Sequence, residues 1–304
     1  MIKKKIQLSE IINFIEKNIS KVYGPIKYRF IDNLASVENV NETTLDWVNP
    51  SKINKQEIVE KSCATVMLVD NDIIYSESLK ENNKTLLVVP NPKVALAKIG
   101  NYFFKDKIIP FIHSTAIIDK EAEIGENVSI GAYSVIGKCK IGDGTIIDSN
   151  VKIYDNTEIG KCCVVKSGAV LGGEGFGFEK DENGNRFRFP QLAALKIGNF
   201  VEIGANTCID HGALTDTEID DYTKINNLCH IAHNNKIGKN VIVTAEVNLS
   251  GSNIIEDDVW IAPNSSVRGW IHIGKGATIG MGAVVVKNIP ANETWAGCPA
   301  KKMK

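Results

Sequence analysis

The sequence predicts a mainly β protein, a parallel β-helix of six-residue units preceded by a small α/β domain. From residue 112 onward an aliphatic side chain returns at every sixth position, a period that fits neither an α-helix nor one flat strand. Many of these residues are followed directly by Gly, the turn residue a short strand needs before the next begins. Over the first hundred or so residues the period is absent, and helical and strand patterns replace it.

Taken in order, Leu8, Ile11, Ile12, Ile15 and Ile19 fall at helical spacing, and Thr65–Val69 and Thr85–Val89 read as buried strands. Asn91-Pro92 opens a helix through Phe104, with Asn91 as N-cap and Pro92 in its first turn. Residues 1–107 therefore form the α/β domain, 108–290 the β-helix, and 291–304 a tail without repeat or helical period. The repeat starts Ile112, Ile118, Ile124, Ile130, Ile136, slips by one residue to Ile141, and runs to Leu171. It returns at Ile197, Ile203 and Ile209, then runs unbroken from Ile219 to Val285. Three units close one triangular coil, and stacked coils share a column of inward aliphatic side chains.

Composition narrows the function. Thirty-five Lys and Arg against thirty-six Asp and Glu give a net charge of −1, so bulk charge points to neither a nucleic-acid partner nor an anionic membrane. No apolar run approaches a membrane span, and the basic start has no apolar h-region behind it. Seven scattered cysteines without a CxxC read as reduced thiols of a cytoplasmic protein.

The two interruptions are where chemistry is expected, because loops carry function while the solenoid supplies rigidity. The longer holds Gly173-Glu174-Gly175-Phe176-Gly177-Phe178, a hairpin turn at Asn183-Gly184, and Pro190-Gln191-Leu192. The shorter is Asp210-His211-Gly212-Ala213-Leu214-Thr215-Asp216-Thr217-Glu218. With Asn227-Leu228-Cys229-His230-Ile231-Ala232-His233-Asn234 and Ser250-Gly251-Ser252, these segments resemble the UDP-3-O-acylglucosamine N-acyltransferases of lipid A synthesis, a left-handed β-helix family of hexapeptide-repeat acyltransferases. The N-terminal half matches more loosely, through Asn49-Pro50 and Val88-Val89-Pro90-Asn91-Pro92.

The resemblance implies a homotrimer with active sites in clefts between neighbouring β-helices. It makes His233 the general base, a role suited to an imidazole that titrates near neutrality. It makes the Gly251 amide, one coil beyond His233, the donor for the oxyanion. Phe176, Phe178, Gln191, Asp210 and Asn234 fall within its motifs as substrate-binding candidates. Other positions depart from the family. Asn226 stands where an Asp is usual, His211 where Arg is usual, and Trp270 where a second functional His is usual. His272 lies two residues later, on the same face as Trp270 if strand alternation holds. Asp46 and Lys52 replace the aromatics that bracket Asn49, with Trp47 displaced by one, so Asn49 is expected to read a base edge and Trp47 either to stack on the base or to serve as core. By the same alternation His230 is expected opposite His233, in a packing role.

The histidines lack the spacing of the three-His zinc site of γ-class carbonic anhydrases, and no metal is expected. A purely structural β-helix would leave the His-Ile-Ala-His-Asn segment and the long loop without purpose. The sequence thus leads to an N-acyltransferase that moves an acyl group from a thioester to the amine of a nucleotide-linked amino sugar, with no permanently bound cofactor. The ending Trp295-Ala296-Gly297-Cys298-Pro299-Ala300-Lys301 resembles the Gly-x-Pro-Ala-Lys close of acetyl-CoA-dependent sugar acyltransferases, and no helical period follows Val285. These features, with the departures at Asn49 and Trp270, favour a short-chain acyl-CoA donor and a surface-polysaccharide sugar. The alternatives are the lipid A reaction itself, using acyl carrier protein, and sugar O-acetylation.

Overall fold

The computed structural model describes residues 5–303 and divides into two compact units, Met1–Ile108 and Ile109–Lys304. In the first, a four-stranded sheet runs in the order Lys21–Tyr23, Thr85–Val88, Val66–Val69, Leu45–Trp47. The last three strands are parallel and the first is antiparallel to its neighbour. Both faces are covered, as the apolar runs require. Leu68 and Leu87 pack with Leu8, Ile11, Ile15 and Ile99 on one side, while Met67, Val69 and Leu86 pack with Val59 and Leu79 on the other.

The helical pattern at the N-terminus forms Leu8–Ile15, and Ile19 falls just past a single turn over Glu16–Asn18. Asn91 caps Pro92–Ile99 by accepting the Val94 N–H at 3.1 Å. The helix widens into a π turn over Gly100–Phe104 before it ends.

The second unit is a parallel β-solenoid whose three faces are sheets of nine, eight and ten strands. Ile231 stacks between Ile209 and Leu249, and the aliphatic column from Ile130 to Val285 is buried. Ile112, at the open end of the stack, is 54% exposed. Three residues past many of the aliphatics the backbone turns through the left-handed region, as at Asn150, Asn156, Asn234 and Asn240, a conformation Asn tolerates better than most side chains. The longer interruption folds into the hairpin Phe178–Lys180 and Arg186–Arg188.

The faces differ in chemistry. The eight-stranded face presents Glu123, Lys140, Glu158, Lys196, Glu218 and Lys236 in alternation, with rungs such as Lys236–Glu218 at 3.3 Å. The nine-stranded face presents mostly uncharged groups, among them Ile117, Val135, Val170, Cys208, Asn248 and Ser266.

Two expectations are corrected here. The stretch expected as a tail, 291–304, is built into the solenoid over its described residues: Thr294–Ala296 continues the ten-stranded sheet beside Thr278–Ile279, and Lys301–Lys302 returns antiparallel to it. Backbone pairing needs no hexapeptide period, so the sequence pattern could not announce it. Strand alternation also fails across the corners, because the chain turns onto the next face within the few residues that separate one short strand from the next. His272 therefore lies on the charged face, its Nε2 2.9 Å from Glu256 Oε1, and not beside Trp270. His230 faces outward toward Asp210, at 3.8 Å, instead of packing inward.

Candidate active site

His233 sits at the corner that ends the strand His230–Ile231, on the edge of the uncharged face. Its neighbour Asn234 fixes its chemistry. The Asn234 amide nitrogen donates to the Thr215 hydroxyl at 2.6 Å and to the Thr215 carbonyl at 2.9 Å. Its Oδ1 is therefore the acceptor, taking the Ala213 N–H at 3.2 Å and facing His233 Nδ1 at 2.7 Å. An acceptor at that distance requires the proton on Nδ1, which leaves Nε2 with a free lone pair. Thr217 completes the corner by accepting the Asn234 N–H at 2.8 Å.

Two glycines hold the ring. A Cβ on Gly251, one coil on, would lie 2.9 Å from His233 Cε1 and 3.2 Å from each ring nitrogen. A Cβ on Gly175, in the long loop, would lie 2.8 Å from Cδ2 and 2.6 Å from Gln191 Oε1. The imidazole thus lies between two bare α-carbons, at positions where alanine would meet it. The N–H of Gly251 has no acceptor among the described residues, whereas Ser250 and Ser252 on either side donate to Val267 and His233. It is a free donor next to a free base.

Asp210 stands on the same face, its side chain only 13% exposed, with His230 as its ionic neighbour. Burial pushes its carboxyl up from the ordinary carboxylate range, and the imidazoles of His230, His233 and His211 pull it back down. His211 is tied locally, Nδ1 lying 3.0 Å from the carbonyls of both Ala193 and Gly212. The loop adds Phe176 and Phe178, with ring centroids 4.9 Å apart, and Arg188 lies 4.6 Å over Phe178. Gln191 donates to the Phe189 carbonyl at 3.2 Å, while its buried Oε1 has no partner among the described residues. Burial raises the thiols of Cys208 and Cys229, so neither supplies a ready thiolate near this corner.

The structure thus gathers His233, Asn234, Gly251, Gln191 and Asp210, with His211 and the two phenylalanines on the adjoining loops. Trp270 occupies the corner two coils beyond Asn234 and is 82% exposed. Asn226 belongs to the ten-stranded face, where its Oδ1 takes the Asn227 N–H at 2.8 Å, and no hydrogen bond among the described residues joins it to His233. His272 is bound to Glu256, as described.

In the N-terminal unit, Asn49 is exposed at the carboxyl end of Leu45–Trp47, where parallel sheets receive ligands. Its Oδ1 takes the Ser51 N–H at 3.0 Å. Trp47 packs partly into the core. Sequence reasoning missed the Lys55 ammonium at this edge, which bridges Asp70 at 2.7 Å and Asp72 at 2.6 Å. It also missed Thr215 and Gly175, whose partners are distant in the chain and leave no local pattern. Among the described residues no group of three His, Cys, Asp or Glu side chains is placed to hold a metal ion.

Comparison with known proteins adds the lineage. The family model for the bacterial transferase hexapeptide (six repeats) matches residues 138–173 and 254–287. A UDP-3-O-acylglucosamine N-acyltransferase 1 from Francisella tularensis subsp. holarctica is 36% identical, over 97% of this chain and 89% of the relative. The chain belongs to the UDP-3-O-acylglucosamine N-acyltransferase family. Another member, from Pseudomonas syringae pv. tomato, is 34% identical over 73% of this chain and 67% of its own. Among solved structures, the Francisella novicida UDP-N-acetylglucosamine acyltransferase aligns at a TM-score of 0.58 and 27% identity, over 64% of this chain and 69% of that one. As a member of this family the chain is an acyltransferase, and the free Nε2 beside a free N–H is the geometry such chemistry needs. Among the described residues no helix is long and apolar enough to cross a membrane.

Proposed function

We propose that the chain transfers a 3-hydroxyacyl group from acyl carrier protein to the amine of UDP-3-O-acylglucosamine, with His233 as general base and the Gly251 N–H as oxyanion donor. The observation that carries this is the near-full-length match to an enzyme so named, which includes the N-terminal unit. It favours the lipid A reaction over the short-chain acyl-CoA and surface-polysaccharide reading to which the sequence alone led. The departures at Asp46, Lys52 and Trp270 then belong to a divergent member that keeps the substrate.

In this reading the amine nitrogen attacks the thioester carbon while His233 Nε2 takes one of its protons. The carbonyl electron pair moves onto oxygen and is held by the Gly251 N–H. The carbonyl then re-forms, the C–S bond breaks, and the thiolate leaves with the proton returned by the imidazolium. Asp210, mostly withdrawn from water and near the base, suits a substrate that arrives as an ammonium ion: its carboxylate takes the extra proton, so that the amine attacks as the neutral base. Direct transfer fits the raised cysteine thiols, which offer no acyl-enzyme nucleophile. In this reading Asn49, exposed at the carboxyl edge of the N-terminal sheet, is the group that meets the nucleotide base.

A homotrimer belongs to the same proposal. The charged face carries its own Glu–Lys rungs and suits water. The mostly uncharged face, which bears His233, suits burial against a second copy.

The test is a panel of donors against acceptors: 3-hydroxyacyl acyl carrier protein, acetyl-CoA and 3-hydroxybutyryl-CoA, each with UDP-3-O-acylglucosamine and with other nucleotide amino sugars. Turnover confined to the carrier-protein donor and UDP-3-O-acylglucosamine is expected. Turnover only with a CoA donor and another amino sugar would restore the reading favoured by the sequence.

A further inference from the structure

Four residues after most of the aliphatics, at each of the three corners, lies a second buried position. It holds Val at 151, 201, 241, 247 and 259, and Ser or Thr at 134, 145, 207, 223 and 265. At the two coils of the candidate site it holds asparagine instead, Asn235 and Asn253, both fully buried. A buried amide is retained only where its hydrogen bonds are met, and both are committed here.

Asn253 Nδ2 donates to the Ser250 carbonyl at 2.6 Å, and Asn235 Nδ2 donates to the same carbonyl at 3.1 Å. Their own oxygens accept the next coil's N–H groups, Ile271 on Asn253 at 2.8 Å and Asn253 on Asn235 at 3.2 Å. The Ser250 carbonyl is therefore held inward by two side chains. In a trans peptide the N–H on the far side of the same plane points the opposite way, so the Gly251 N–H faces outward.

A second feature leaves that N–H open. At regular corners the equivalent N–H is capped by a side chain of the next coil: Lys239 by Asp257 at 2.9 Å, Lys161 by Asn199 at 2.9 Å, Ala205 by Asn227 at 2.7 Å. One coil beyond Gly251 the residue is Gly269, which has no side chain to supply a cap.

We infer that Asn253, assisted by Asn235, is a positioning residue that aims the Gly251 N–H at the developing oxyanion, with Gly269 keeping that donor uncapped. The inference rests on the proposed use of Gly251. Asn253 touches no substrate and acts through one peptide plane.

Asn253→Val removes both of its side-chain bonds while installing an apolar residue that equivalent positions at the other two corners accept, and Asn253→Ser keeps a donor of the kind used at Ser265. With 3-hydroxyacyl acyl carrier protein and UDP-3-O-acylglucosamine, Asn253→Val is expected to lower kcat roughly 10- to 100-fold, less than the 10²–10³ of losing an oxyanion donor outright. Its KM values should stay within about twofold and its melting within a few degrees, and Asn253→Ser should recover most of the loss. A crystal structure of Asn253→Val should show the Ser250–Gly251 peptide rotated. The inference is overturned if Asn253→Val keeps more than half the wild-type kcat, if both variants lose kcat alike, if kcat, KM and melting all fall together, or if the peptide is unmoved. Failure of the functional reading is separate. It would appear as a wild-type enzyme inactive on these substrates, and the orientation of the peptide in Asn253→Val then decides the inference alone.

Discussion

Consider an alanine at Gly251. The backbone there lies outside the left-handed region, so the substitution costs nothing in φ. The added methyl would stand 2.9 Å from His233 Cε1 and 3.2 Å from both ring nitrogens, where ordinary contact begins at 3.4 Å. The ring must retreat by about 0.5 Å, and a 1 Å misplacement of a reacting group costs on the order of 10² in rate. It cannot retreat freely, because Gly175 backs its other side and the 2.7 Å bond to Asn234 holds Nδ1. Roughly a tenfold loss in kcat follows, about 1.4 kcal/mol of transition-state stabilisation. Gly175→Ala, with contacts of 2.8 Å to Cδ2 and 2.9 Å to Cβ, should behave alike. Gly177→Ala, whose nearest contacts are an ordinary 3.4 Å, is the control from the same loop and should leave kcat unchanged. Steady-state kcat with saturating donor and acceptor, beside thermal melting, reads the result. If Gly251→Ala retains more than half the wild-type kcat at unchanged melting, the ring is not confined as described and the reasoning fails.

Three further outcomes are expected. His233→Ala should lower kcat by about 10²–10⁴ with KM and melting little changed, and a variant keeping more than half its rate would remove His233 as the base. Asn234→Ala should lose less than His233→Ala and alter the pH–rate profile, since it frees the tautomer without removing the imidazole; a profile superimposable on wild type would show that the Nδ1 bond does not matter. Asp210→Asn should raise the melting temperature at neutral pH. Burial lifts this carboxyl's pKa on folding, so stability is lost as pH climbs through the folded value, and the variant's advantage should vanish at pH below the ordinary carboxylate range. Equal melting of the two proteins at neutral pH would refute the assignment.

The solenoid was legible because its core demands one aliphatic residue per unit, and that demand is written at a period of six, with one slip and two interruptions, from Ile112 to Val285. The two interruptions also marked the loops that meet the His233 corner. Alternation misled at His230 and His272 because it describes a strand longer than the two or three residues between corners. The terminal strands stayed hidden because Thr294–Ala296 and Lys301–Lys302 are held by backbone pairing, which leaves no side-chain pattern. Thr215 and Gly175 were illegible for another reason: each matters through contacts with residues many positions away. The asparagines at 235 and 253 did leave a sign, a polar residue at a position where the other two corners accept valine, and only the hydrogen bonds give it meaning.

The central claim is that His233 drives acyl transfer to an amine, and the linkage in the product tests it most directly. UDP-3-O-acylglucosamine is incubated with 3-hydroxyacyl acyl carrier protein, and the product is analysed by mass spectrometry before and after mild alkali. The account predicts one added acyl group that survives alkali as an amide and is absent with His233→Ala. A new acyl group lost in alkali as an ester, or the same amide formed at the wild-type rate by His233→Ala, would contradict it.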